Sequence, residues 1–451
     1  MGSIIRVALL GMFLLGLSPG KAFSQEIVKF TLEESIQYAL ENNVAAQNAL
    51  LETYAAEASI GERTAQGLPQ INGNFDFTKN LSIPVMFLPN EGPFADPDNP
   101  SDVLPVQFGV NYQSGITLTV EQMLFNGSYF VGLKAAKTYR ELSEFDRKKT
   151  QNDVIVNVKK AYFSVLVNRE RLELVEANLA RIDTLLRETN ALYREGFAEK
   201  IDVSRIKVQQ NNILTELDRI RAAILVSKEL LKIQMGLPKS YELVVTDNLD
   251  EMNQPDDIRA LINQEGSQRV EIDQLKTNMD LVRLDLKNNH VKYLPQLNAN
   301  FTYQRNGAGQ SFSTTWDGEN WFTGSFVGLS LSVPIFDGLS KSHKIQQNRI
   351  KLKQLENQRV LLENNIALER FQARTNLRNS LKALEVQEEN RELAREVYDI
   401  ARIKFNEGVG SNLEVVEADA DLKEAETNYF GALYDALVAK VDLEKALGIL
   451  K

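Results

Sequence analysis

The sequence contains no cysteine, so it can form neither disulfides nor thiolate metal sites, and no acyl chain can be attached through a cysteine. Histidine is nearly as scarce. His290 and His343 stand far apart, which removes a histidine-rich metal centre and leaves both as solvated helix residues. Proline is rare and unevenly placed: six of the twelve, from Pro84 to Pro105, crowd one stretch, and none falls in 128–194 or 339–406. Beyond the N-terminus no apolar run is long enough for a membrane helix, so a chain that crosses a bilayer must do so as a closed β-barrel. Nucleophile elbows, phosphate loops, dinucleotide fingerprints and metal-ligand spacings are missing too, which leaves an enzyme, a cofactor or a bound metal without support. Basic residues number 51 against 61 acidic ones, a net charge of −10, which argues against nucleic acid as a partner.

Residues Met1 to Ser24 read as a secretory signal: Arg6 is the charged start, Val7 to Leu17 the apolar core, Pro19-Gly20 the break and Ala22-Phe23-Ser24 the cleavage region. Its removal takes Arg6 and Lys21 but no acid, so the charge moves from −10 to −12.

The proline-free stretches dominate what is present. Each reads as a helix of about 66 residues, roughly 100 Å at 1.5 Å per residue, too long for a compact core. In the first, Val154, Val158, Ala161, Val165, Asn168, Leu172 and so on to Tyr193 step by four and three, a heptad seam. Ile155, Tyr162, Phe163, Leu166, Leu174, Leu185 and Leu192 lie off that seam, so the helix has two apolar flanks and can touch a neighbour on each side. Helices of that kind can close into a tube. The second stretch has a weaker seam, with Gln387 and Arg391 at apolar positions.

The remaining elements follow in order. Thr31-Leu32-Glu33-Glu34 is a capping box opening a short helix from Leu32 to Glu41, and a second helix spans about 45–66. After Leu68-Pro69-Gln70 the period changes to two, predicting a strand at about 70–80. The proline-rich loop 79–105 follows, then a strand at about 113–124, ended by Phe125-Asn126-Gly127. The long helix stops at Glu195-Gly196 and another runs to Met235. A mixed segment, 237–266, precedes the same plan again: a helix over about 267–293, Leu294-Pro295-Gln296, strands at about 297–305 and 326–335 with both tryptophans in the loop between them, Phe336-Asp337-Gly338, a long helix ended at Glu407-Gly408, and a last helix. Pro69 and Pro295 lie 226 apart, Gly127 and Gly338 211, Gly196 and Gly408 212. The chain is an internal duplication, 25–236 and 267–451, whose halves differ mainly in one loop.

These features together resemble the TolC family of outer-membrane efflux proteins: the opening TLEESIQYALENN, the two LPQ junctions, the FNG and FDG turns, and the tips REGFAEKIDV at 194–203 and NEGVGSNLEVVEA at 406–418. The resemblance implies a mainly α chain with transmembrane β-strands. Three copies, four strands each, make a twelve-stranded outer-membrane barrel joined to a periplasmic α-helical barrel. A mixed belt comes from about 26–44 and 237–266. The implied role is the passive exit duct of a tripartite efflux or type I secretion system. Its partners are a periplasmic adaptor, an inner-membrane pump and outer-membrane lipid. The alternative that the residues leave open is a secreted coiled-coil structural or adhesive rod, which has no use for paired strands at matching places in both halves.

In the family, acidic residues just after the second tip line the entrance. Glu414 and Glu417 hold those places, with Asp202 the first-half counterpart of Glu414. Repeated threefold, such carboxylates favour cations and repel anions. Ser411-Asn412-Leu413-Glu414 is equally a capping box, so a purely structural role stays open. The tips 194–200 and 406–412, with Gly196, Gly408 and Gly410, are implied to dock the adaptor. The family's closed state uses a tyrosine before the second tip and an arginine after its glycine, where this chain has Phe405 and Gly410.

Overall fold

The computed structural model describes residues 27–91, 93, 97–98, 100–249 and 255–450, so the proposed signal, 1–24, lies outside it. In chain order the elements are β1 (Ile27–Phe30), α1 (Leu32–Asn42), α2 (Val44–Ala65), β2 (Gln70–Lys79), β3 (Val85–Pro89), β4 (Val103–Gln107), β5 (Tyr112–Phe125), α3 (Gly127–Arg194), α4 (Lys200–Met235), β6 (Glu242–Val245), α5 (Pro255–Ile262), α6 (Val270–Val291), β7 (Gln296–Gly309), α7 (Phe312–Thr315), β8 (Trp321–Ser332), α8 (Ser340–Asn406) and α9 (Asn412–Leu447). The proline-free stretches are single helices of 68 and 67 residues, and α4 and α9 have 36 each.

Chain contacts divide the molecule into two units, Met1–Asn43 with Val154–Ala260 and Arg378–Val441, and Val44–Asp153 with Leu261–Leu377 and Asp442–Lys451. Within the first, α3, α4, α8 and α9 share an apolar core that includes Val175, Ile182, Ile206, Ile213, Ile220, Val415 and Leu422. The sevenfold spacing within α3, α4 and α9 is the heptad seam at work. The second flank of α3 is buried as well, at Ile155, Tyr162, Phe163 and Leu166. Tyr162 lies beside the parallel pair of β1 and β6, in the segments expected to form the belt. Its hydroxyl reaches Asp247 Oδ2 at 3.0 Å and Phe30 O at 3.1 Å, and Arg169 donates to the carbonyls of Val245 and Asp247. Burial pushes the Tyr162 phenol well above its ordinary range. The Thr31 capping box forms: Thr31 N–H donates to Glu34, and Glu34 N–H donates to Thr31 Oγ1 at 3.2 Å.

The second unit carries an antiparallel sheet in the order β2-β5-β7-β8. Its strands β2 and β5 lie close to the sequence bounds, while β7 and β8 depart from them. β7 runs on to Gly309 and β8 begins at Trp321, so that tryptophan opens a strand instead of sitting in a loop, and β8 stops at Ser332. The stretch 79–105, expected to be a loop, contains most of a hairpin, β3 with β4. Both strands of that hairpin are edges, which is where a sheet tolerates Pro89 and Pro105. In the same unit, α6 buries Leu275 and Met279 against Leu355 of α8. Arg269 is buried between Glu271 at 2.7 Å and Glu369 at 3.1 Å, and Arg370 Nε donates to Ala446 O at 3.1 Å, occupying a carbonyl of the last turn of α9.

Register separates the sheet into two chemistries. Directly opposed residues share a face, so Ile71, Phe75, Phe77, Ile116, Leu118, Val120, Phe301, Tyr303, Val327, Leu329 and Leu331 all lie on one side. The other side presents Asn72, Asn74, Asp76, Thr117, Thr119, Glu121, Asn300, Thr302, Gln304 and Asn306, with Phe322 and Phe326 as its exceptions on β8. The apolar side is exposed: Val327 is 77% accessible and Leu329 71%.

Candidate functional site at the helix tips

Both tips end by the same backbone device. Gly196 has φ +84° and Gly408 φ +75°, the left-handed region where a side chain is strained. Around the first, Gly196 N–H donates to Tyr193 O and Phe197 N–H to Leu192 O. Around the second, Gly408 N–H donates to Phe405 O and Val409 N–H to Lys404 O. These are paired Schellman closures, which satisfy carbonyls the helices leave open. Gly410 lacks a side chain for a different reason: a Cβ there would lie 2.8 Å from Lys404 Cβ. The two tips come together around a hollow of about 830 Å³ lined by Glu188, Leu192, Phe197, Phe405, Gly408 and Gly410. Phe197 is 82% exposed at its rim and Val409 78%, so each tip offers a bare apolar residue.

The predicted carboxylates fall into two settings. Glu414 and Glu417 are exposed on the first turns of α9 and line one shallow hollow with Lys404 and Asp421. Ser411 Oγ accepts from Glu414 N–H at 3.2 Å, so the helix start is capped while the Glu414 carboxylate faces solvent. Asp202 behaves otherwise. Its Oδ2 accepts from Glu199 N–H at 3.1 Å and its Oδ1 is 3.8 Å from Arg205, both ties of a helix start.

Two features here escaped sequence reading. Glu414, Glu417, Asp421 and Glu424 are all exposed and step by three, four and three, one acidic stripe along α9. On the opposite side of the same helix, Asp419 and Glu426 are buried, 2% and 1% accessible. Arg181 of α3 approaches both, at 3.7 and 4.0 Å, and Asn178 Nδ2 donates to Glu426 at 3.1 Å. Arg395 of α8 comes within 3.7 Å of Glu426, and the Arg181 guanidinium lies 5.2 Å from the Tyr398 ring centroid. Burial raises Asp419 above the usual carboxylate range, with Arg181, Gln209 and Lys423 pulling the other way. The signal available in the sequence was two acids seven residues apart on an otherwise apolar seam.

A sheet with one apolar and one polar face, joined to paired helices of more than sixty residues, defines the class: an outer-membrane channel protein. The chain belongs to the outer membrane efflux protein family, which it matches over residues 35–232 and 261–449. It is 23% identical over 422 residues to the outer membrane protein TolC of Vibrio cholerae, covering 93% of this chain and 91% of that one. It is 24% identical over 366 residues to the alkaline protease secretion protein AprF of Pseudomonas aeruginosa, covering 74% and 69%. Among solved structures it resembles the outer membrane protein VceC of Vibrio cholerae, with a TM-score of 0.69 at 16% identity, covering 92% of this chain and 96% of that one. The protein therefore resides in the outer membrane and acts in efflux, and its family is one of transport proteins rather than enzymes.

Proposed function

We propose that the chain is the passive outer-membrane duct of a multi-component export machine. Three copies close their sheets into a twelve-stranded barrel, and the duplicated helices wall a tunnel in the periplasm. An inner-membrane pump supplies the energy, through a periplasmic adaptor that docks on the tips at 194–200 and 406–412. The reading is carried by the two-faced sheet, whose end strands β2 and β8 each have one edge unpaired among the described residues. A lipid-facing edge leaves backbone groups without partners, and four strands are too few to close alone. Pairing β8 of one copy with β2 of the next removes every edge. Exposed apolar residues along α8, among them Ile350, Leu361, Phe371, Val397 and Ile403, support lateral contact between copies.

At the entrance the threefold set of Glu414 and Glu417 makes an acidic ring, extended inward by Asp421 and Glu424. Asp202 adds charge nearby while it caps α4. Gly196, Gly408 and Gly410 keep the tips narrow enough for the adaptor, and Phe197 and Val409 give it an apolar hold. The deciding experiment uses the full chain extracted in detergent: native mass spectrometry for copy number and planar bilayers for conductance. Three copies and discrete ion-conducting steps are expected. A stable single copy with no conductance sinks the proposal.

A further inference from the structure

The four strands of the large sheet carry four charged residues, and they are sorted by sign. Asp76 and Glu121 lie on the polar face. Lys79 and Arg305 lie on the apolar face, in the half of the sheet that ends in the 310–320 connection. Each cation rests on an aromatic ring: Lys79 Nζ is 5.6 Å from the centroid of Tyr112, and the Arg305 guanidinium 5.7 Å from that of Trp321. The connection folds back onto the same face, where Trp316 stacks on Phe77 at 6.1 Å and meets Trp321 at 5.9 Å. Gly307 makes the close approach possible, since a Cβ there would lie 2.6 Å from the Trp321 ring.

We propose that Lys79 and Arg305 bind the phosphate groups of a lipid headgroup where the apolar face leaves the bilayer. This rests on the reading that the apolar face meets lipid. The occupant follows from complementarity. A chain of net charge −10 places only cations among the strand residues of the face that leads into hydrocarbon, the acids Asp317 and Glu319 lying in the connection. It holds them against rings whose amphipathic bodies suit the interface between hydrocarbon and headgroups. A guanidinium and an ammonium there can reach outward to phosphate while their stems stay on the apolar surface. A zwitterionic headgroup sets its own ammonium against its phosphate, so a net-anionic headgroup counters the two cations more fully.

The molecule carries its own probe, because its only two tryptophans are Trp316 and Trp321. Full-length protein is reconstituted in phosphatidylcholine vesicles with or without phosphatidic acid, and lipid retention is read by native mass spectrometry. Phosphatidic acid should be retained over phosphatidylcholine. Lys79→Gln with Arg305→Gln should weaken that retention about thirty-fold, at about 1 kcal/mol for each cation near an anionic membrane surface. Equal retention by the variant overturns the proposal. So does displacement by inorganic phosphate, which would mark a free-anion site. In parallel, lipids brominated along the acyl chain should quench the tryptophan emission of both proteins. Quenching with unchanged retention removes the phosphate site and leaves the lipid-facing assignment standing. Absence of quenching removes both.

Discussion

Gly408 and Asp419 show how much single positions carry. Gly408 sits at φ +75° with open space around it, so an added methyl meets no neighbour and its whole cost is conformational. Gly408→Ala should lower unfolding stability by about 1–2 kcal/mol, read by denaturant titration, and Gly196→Ala should match it. A much smaller loss in both would mean the tips do not hold this turn. Asp419 makes a prediction of opposite character. A carboxyl held above its unfolded value binds its proton more tightly when folded. Its contribution is complete below the unfolded value and is lost as pH rises through the folded one. Wild type should therefore gain stability between neutral and mildly acidic pH from this group, and Asp419→Asn should shrink that gain. Identical melting shifts in the two proteins would show that Asp419 is no buried acid.

At the scale of elements, the two faces of β5 can be set against each other. Leu118 and Thr119 are neighbours in sequence with opposite environments. Leu118→Arg should destabilise the membrane-inserted form by about 2–4 kcal/mol, with Thr119→Arg close to neutral, measured by unfolding from bilayers. Similar costs at both sites would mean the faces are misassigned. The strands were legible in the sequence because alternation survives wherever one side is apolar, as from Ile71 to Phe77. It fails at Gln304-Arg305-Asn306, so the outer part of β7 could not be read. The β3–β4 hairpin hid behind Pro89 and Pro105. The long helices were legible from missing proline and from their closing glycines. The carboxylate pair at Asp419 and Glu426 was not, because a lone sequence makes a charge on a helix look solvated. Only the arrival of Arg181 and Arg395 from two other helices shows otherwise.

For the whole molecule, the exposed acidic stripe on α9 sets the charge that the proposed entrance presents. Glu414→Gln with Glu417→Gln should bring the zero-current potential in a salt gradient closer to zero, as cation preference falls. An unchanged potential removes the entrance ring. The raw borders of β2 and β8 reach further still. A solitary copy has no comfortable resting place in hydrocarbon, so partnership and insertion must proceed as one event. In the proposed trimer, one subunit with a spoiled border then disables the two sound ones beside it. Co-production of such a subunit with the intact chain should cut export far more steeply than its share of the mixture.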